Sequence, residues 1–296
     1  VGGFVAAALA RADETDVTVI ALEQTIAVIA RDGISVTSVR LGDFNVRPAT
    51  VPQLTEQVDV LLVAPKATTL NDALDRIAVA PRLVVPLLNG LDQMARLREQ
   101  FDPATVAAGV IRIEADRPAR GVIVQTSPFL RVDLASASAA LRPALEDLAV
   151  ALEGAGIPAT VGTSEAQVLW GKLVRLNALA CTTSAWDVPL GEIRDDPQRR
   201  AALEACVTEA AAVARAEGAD IADATVMDEL EDAHATLGSS MQRDIAAGRE
   251  PELDQIAGGV LRAAARHGLP CPTIERLAAL VAERAGIDPP RATLET

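Results

Sequence analysis

The chain has 296 residues, half of them hydrophobic and 23% charged, which suits two soluble domains with a large core and excludes a disordered chain. Its formal net charge of −14 repels nucleic acid and anionic lipid, so neither is an expected partner. Three cysteines without a CxxC pair and two histidines, His234 and His267, provide no disulfide framework, no metal-ligand cluster and no Ser-His-Asp spacing, so a reducing, cytoplasmic setting without a metal is expected.

Along the first half, helices alternate with short β-branched runs. Gly2–Asp13 reads as a helix, Val17–Ala21 as a strand and Gln24–Asp32 as a helix stopped by Gly33. Alternating apolar positions over residues 34–48 predict a pair of short strands. Val58–Ala64 is a continuous apolar run, the pattern of a strand buried on both faces of a parallel sheet. A helix over Asn71–Val79, a strand over Leu83–Leu87 and a helix over Leu91–Gln100 follow, then strands at Val106–Ile113, Val122–Gln125 and Leu130–Leu134. This alternation argues for a doubly wound α/β domain.

After about residue 138 only helices are predicted: Ser138–Gly154, Ser164–Ala185 capped by Ser164 or Thr163, Pro197–Gly218, Asp223–Leu237, Ser240–Ala247, Leu253–Gly268 and Pro272–Ala285. The domain boundary is expected near Gly162, giving domains 1–162 and 163–296. Apolar runs such as Val58–Pro65 are too short to span a bilayer, and Phe4–Ala10 lacks the basic flank of a signal peptide. The chain opens Val-Gly-Gly without Met, as though cut from something longer.

Only two of the 27 basic residues are lysines, Lys66 and Lys172. Arginine never gives up its proton, whereas a lysine can be tuned by burial to donate one. The two survivors are therefore candidates for positions where arginine fails, although compositional drift explains the count equally well. Lys172 lies in the apolar helix VLWGKLVRLNALA beside Trp170, Leu173 and Val174, where partial desolvation would lower its pKa unless it reaches solvent at a helix end. Lys66 follows the strand VDVLLVAP, and Asn89-Gly90 follows the strand VVPLL. Both stand at carboxyl strand ends, where open α/β sheets bind ligands, and both also read as surface and turn residues.

The opening segment, Gly2-Gly3 then helix, strand and Glu23, matches the second half of a dinucleotide-binding βαβ unit. Glu23, 20 residues after Gly3, stands where an acid would take a ribose 2′-hydroxyl, or is a solvated loop acid. Ser240 and Glu252 read as helix-capping residues or as site residues, and spacing leaves the choice open.

Taken in order, VGG, DVLLVAPKA, VVPLLNG, LWGKL and SSMQRDI…GREPELDQIAGG…HGLPCPT resemble the ketopantoate reductase (2-dehydropantoate 2-reductase) family from Val1 to about Gly286. The resemblance implies a Rossmann-type α/β N-terminal domain, its first strand missing from this chain, and an all-α C-terminal domain, with the active site in the cleft between them. It implies reduction of a 2-oxo acid, 2-dehydropantoate to pantoate in pantothenate biosynthesis, with hydride from NADPH. By the same resemblance Lys172 is the catalytic proton donor, with Glu252 beside it and the cofactor. Ser240 and Asn89 bind substrate, and Lys66, Asn89 and Glu252 bind cofactor; Gly2, Gly3, Glu23 and Ala115 are expected to add further cofactor contacts. A homodimer is left open.

Three departures qualify these implications. The first GxG of the family fingerprint is absent, so loss of cofactor binding, as in a non-catalytic scaffold, is one alternative. Leu22 stands where the family carries an arginine for the 2′-phosphate, which keeps NADH open; Lys66 or Arg31 could supply that charge. The family's substrate asparagines are Leu176, Ala180 and Leu190 here, with Asn177 the nearest substitute as a substrate ligand, so a related reductase of a more apolar 2-oxo acid is the other alternative.

Overall fold

A computed structural model describes residues 1–12 and 14–292. It divides into two compact units, Val1–Leu88 with Gln93–Val168, and Asn89–Asp92 with Leu169–Thr296. The division falls at Val168/Leu169, inside a helix, rather than near Gly162, and it assigns the tetrapeptide Asn89–Asp92 to the second unit.

The first unit runs α1 (Gly2–Ala12), β1 (Thr18–Ile20), α2 (Glu23–Asp32), β2 (Ile34–Ser38), β3 (Phe44–Val46), β4 (Ala49–Val51), β5 (Val60–Val63), α3 (Leu70–Leu74), β6 (Leu83–Pro86), α4 (Gln93–Gln100), β7 (Ala108–Ala119), β8 (Val122–Ala135), α5 (Arg142–Gly154) and β9 (Ala159–Val161). Asp13, expected at the end of α1, lies outside the described residues. Parallel pairs β1/β4 and β5/β6 carry the Rossmann-type character; all four residues of β6 are buried, whereas β5, expected to be buried on both faces, alternates half-buried Val60 and Leu62 with buried Leu61 and Val63. Among the described residues β1 pairs only with β4 and β5 only with β6. A further sheet orders β3-β2-β8-β7, with β9 added in parallel to β8. Phe4, Ala7 and Ala8 of α1 pack in one core with Ile34, Leu83, Val85, Ile123, Val132, Leu134 and Leu145.

Several expectations are corrected here. β8 is one strand of 14 residues, not two short ones, because it pairs along its length with β7 through two register shifts. β4 and β9, three residues each, are too short for any periodicity to announce them, and β9 interrupts the helices-only reading after residue 138. The helix expected over Asn71–Val79 stops at Leu74, because the backbone around Ile77 is drawn into a parallel bridge with Leu54. There Arg76 O accepts from Leu54 N at 2.8 Å, and Leu54 O from Ala78 N at 2.9 Å.

The second unit is all-α: α6 (Glu165–Trp186) from Leu169 onward, α7 (Leu190–Asp195), α8 (Pro197–Ala216), α9 (Asp223–Glu231), α10 (Ser240–Ala246), a π turn (Asp254–Gly258), α11 (Gly259–His267) and α12 (Pro272–Ala285). The buried helix α8 packs on α7, α9, α11 and α12 through Leu203, Cys206, Val207 and Ala210. Helix α7 was not foreseen, and α9 ends at Glu231 rather than Leu237. The long helix expected over Leu253–Gly268 is present, helical from Leu253 to His267, with a π-helical stretch leading directly into α11. Among the described residues no helix is long and apolar enough to cross a membrane, and no His, Cys, Asp and Glu cluster could hold a metal ion.

Candidate active site

Within the second unit three polar residues remote in sequence converge. Lys172 sits in the second turn of α6, half-buried beside Trp170 and Leu173, which are each 2% exposed. Its Nζ donates to Asn89 Oδ1 at 2.7 Å. Asn89 Nδ2 in turn donates to Glu252 Oε2 at 2.8 Å. The amide orientation follows from the partners. An ammonium has no lone pair to offer, so it must meet the oxygen, and an ionised carboxylate accepts only, so it must meet the nitrogen. A neutral carboxamide thus stands between cation and anion, and both bonds are charge-assisted. Glu252 is buried at 9% exposure, so its bond to Asn89 is shielded from water.

Backbone geometry explains why Asn89 is followed by glycine. Gly90 has φ +93°, and a Cβ there would come within 2.4 Å of Gln255 O in the π turn. Only glycine combines that φ with so close an approach. The turn reading of Asn-Gly therefore holds, and the same turn brings Asn89 against the segment that carries Glu252.

The remaining expected site residues fall in different places. Asn177 is fully buried, its Nδ2 donating to Cys206 Sγ at 3.3 Å while Cys181 Sγ donates to its Oδ1 at 3.4 Å. It faces α8 in the core and has no exposed polar atom for a ligand, so it is corrected from substrate ligand to packing residue. Burial pushes the Cys181 thiol up to about 12, and burial together with the Glu209 and Glu275 carboxylates does the same to Cys271, which disfavours the thiolate at both. Ser240 is exposed at the first position of α10, and the cap is Ser239, whose Oγ accepts from Gln242 N at 3.0 Å. Of the two caps proposed for α6, Ser164 accepts from Gln167 N at 3.3 Å.

In the first unit, Gly2 and Gly3 open α1 where it lies close to strands. A Cβ on Gly2 would stand 3.3 Å from Ala64 Cβ, just past β5, and one on Gly3 would stand 3.1 Å from Ile123 Cδ1 of β8. Lys66 is exposed just beyond β5. Ala115 is half-buried in β7 at its register shift, opposite Gln125. Glu23 is the exposed first residue of α2, and its Oε1 is 4.0 Å from Arg76 Nη1. Arg31, expected as a source of positive charge near Glu23, is in the last turn of α2 and pairs with Asp32 at 2.6 Å. Eight residues of helix, about 12 Å, separate it from Glu23. Arg76 is the cation that sequence reasoning missed, since no local pattern links it to Glu23.

Three more charged groups around Asn89 and Glu252 were also missed. Asp92 follows Asn89 by three residues, Asp254 follows Glu252 by two, and Arg262 of α11 binds both acids. The only sequence signal was an acid a few residues beyond each candidate.

Comparison with known proteins finds relatives of the whole chain. Residues 1–138 match the family model described as ketopantoate reductase PanE/ApbA, and residues 166–285 match its C-terminal counterpart. A 2-dehydropantoate 2-reductase of Mycobacterium tuberculosis is 33% identical over 76% of this chain and 76% of its own. Among solved structures, a 2-dehydropantoate 2-reductase of Geobacter metallireducens is 25% identical, with TM-score 0.86 over 95% of this chain and 96% of its own. A D-mandelate dehydrogenase with NADH and anilino(oxo)acetate is 20% identical, with TM-score 0.87 over 96% and 95%, a likeness of fold.

Proposed function

This chain belongs to the ketopantoate reductase family of oxidoreductases, and we propose that it reduces the C2 carbonyl of a 2-oxo acid, 2-dehydropantoate first, using NADPH. The observation that carries this reading is the line Lys172–Asn89–Glu252, with bonds of 2.7 and 2.8 Å. The first unit is proposed to hold the dinucleotide and the second to hold the proton donor.

The residues present fit a pyridine dinucleotide. A Cβ on Gly2 or Gly3 would meet a neighbour at 3.3 or 3.1 Å, the close helix–strand packing that a dinucleotide-binding helix needs. Lys66, Glu23 and Ala115 from strand ends and edges would complete the contacts. When bound, the cofactor supplies hydride to the carbonyl carbon. Lys172 holds the proton at Nζ, stabilises the negative charge developing on the carbonyl oxygen and delivers that proton to it. Asn89 orients the ammonium by accepting one of its N–H bonds. Glu252 fixes the amide of Asn89 by accepting from its Nδ2. Ser240 is proposed to bind the substrate's polar end.

NADPH is favoured because Arg76 places a cation beside Glu23, where a 2′-phosphate would be read. The fold alone does not choose, since the D-mandelate dehydrogenase of the same fold holds NADH.

A second reading, a more apolar 2-oxo acid, is favoured by Ala180 and Leu190, each fully buried at family asparagine positions, and by the burial of Asn177. One assay separates the two: kcat/KM for 2-dehydropantoate against its analogue lacking the terminal hydroxyl. A site that hydrogen-bonds the hydroxyl discriminates by about 10⁴ or more, and an apolar pocket by about a hundredfold or less. Strong preference for 2-dehydropantoate is expected, and equal or better turnover of the analogue would establish the second reading.

A further inference from the structure

Arg262 is 5% exposed and lies in α11, away from the three residues that form the line. Its Nη2 donates to Asp92 Oδ2 at 2.6 Å and to Asp254 O at 2.8 Å, and its Nη1 donates to Asp254 Oδ1 at 2.8 Å. Asp92 ends the tetrapeptide that begins with Asn89, and Asp254 opens the π turn immediately after Glu252 and Leu253. One guanidinium therefore ties the segment bearing Asn89 to the segment bearing Glu252. Arginine suits this task because its planar fork donates in several fixed directions at once.

The sequence around the clamp is shaped to admit it. A Cβ on Gly258 would stand 2.7 Å from Asp254 Oδ1 and 2.9 Å from Arg262 Nη1. One on Gly259 would approach Asp92 Oδ2 at 3.9 Å. Gly258 thus leaves room for the carboxylate–guanidinium pairing, whereas a side chain at Gly259 would meet Asp92 only at ordinary contact distance. The π turn itself, an irregularity frequent at functional sites, carries Asp254 O to Arg262.

We propose that Arg262 is a positioning residue: by joining Asp92 to Asp254 it holds Asn89 and Glu252 in register and thereby fixes the ammonium of Lys172. The proposal rests on the reading of Lys172 as proton donor, but part of its test needs no turnover. Because the chain has two lysines, uniform ¹³C-lysine labelling gives two side-chain signal sets, and Lys66→Arg assigns that of Lys172. In Arg262→Met the Lys172 signals are expected to move while those of Lys66 stay, and kcat should fall about tenfold to a hundredfold through misplacement of the donor. Arg262→Lys should restore part of both, and Arg266→Gln, one turn further along α11 and paired with Glu217, should leave both unchanged.

A lower melting temperature in Arg262→Met, with the Lys172 signals and kcat unmoved, would show a structural role only and overturn the proposal. If Arg262→Met does not fold, Asp92→Ala removes the acceptor on the other side of the same link, at a carboxylate that is 39% exposed, and unmoved Lys172 signals there would be equally decisive. If the wild-type protein reduces no 2-oxo acid, the reductase reading fails, while the lysine signals still report whether Arg262 positions Lys172.

Discussion

Replacing Asn89 by leucine keeps the side-chain volume and removes both polar ends. Two charge-assisted hydrogen bonds disappear, the 2.7 Å bond from Lys172 and the 2.8 Å bond to Glu252. A hydrogen bond to a charged group contributes about 1.5–3 kcal/mol. If one such bond separates the productive placement of Lys172 from its alternatives, the barrier rises by the same amount. At about 1.4 kcal/mol per decade, kcat should fall roughly tenfold to 150-fold. The loss at Glu252 acts mainly on stability, since a carboxylate only 9% exposed keeps its desolvation cost without its donor. The assay is kcat at saturating cofactor and substrate for Asn89→Leu, Lys172→Met and the double variant. If Asn89 acts through Lys172, the double variant should be no slower than Lys172→Met alone. A double variant slower by the product of the two single effects would refute the linkage.

Gly90→Ala is expected to destabilise the fold by about 1–2 kcal/mol from its positive φ alone, and by more where the new Cβ meets Gln255 O; denaturant unfolding measures this. Arg76→Ala should weaken binding of 2′,5′-ADP while leaving 5′-ADP nearly unchanged in calorimetry, and an equal loss for both would remove Arg76 from 2′-phosphate recognition. Burial pushes the Cys181 and Cys271 thiols up to about 12, so at neutral pH the folded protein should not react with thiol reagents, whereas the unfolded chain should react at all three cysteines; fast labelling of the folded protein would contradict the core placement. Asn177→Leu should lower stability with kcat nearly unchanged, because its partners are the buried cysteines, and a large loss of kcat would return it to the site.

What could be read from the chain was what local pattern encodes. The apolar run at Val58–Ala64 gave β5, and Gly33, at φ +80°, closes α2 as its position predicted. Pro272–Ala285 matched α12 to the residue, because proline at the start and glycine after the end are local signals. The scarcity of lysine pointed to Lys172, and VVPLLNG pointed to Asn89. What could not be read depends on tertiary partners. The break of α3 needs Leu54, the burial of Asn177 needs Cys206, and the Arg76–Glu23 approach joins residues without a common periodicity. Asn177 illustrates the limit most clearly. One residue of offset turns a side chain about 100° around a helix, and here it faces the core. The serine pair shows the same effect, with the cap at Ser239 rather than Ser240.

The proton-donor role proposed for Lys172 is tested most directly by following label. With NADPH carrying deuterium at the transferring position and 2-dehydropantoate as acceptor, mass spectrometry of the product reads deuterium at C2. The wild-type protein is expected to transfer it stoichiometrically with cofactor oxidation. Lys172→Met and Lys172→Arg, with unchanged cofactor binding by calorimetry, should do so at least about a hundredfold more slowly, since neither side chain can release a proton to the alkoxide. Label transfer at the wild-type rate by either variant would contradict the assignment of Lys172.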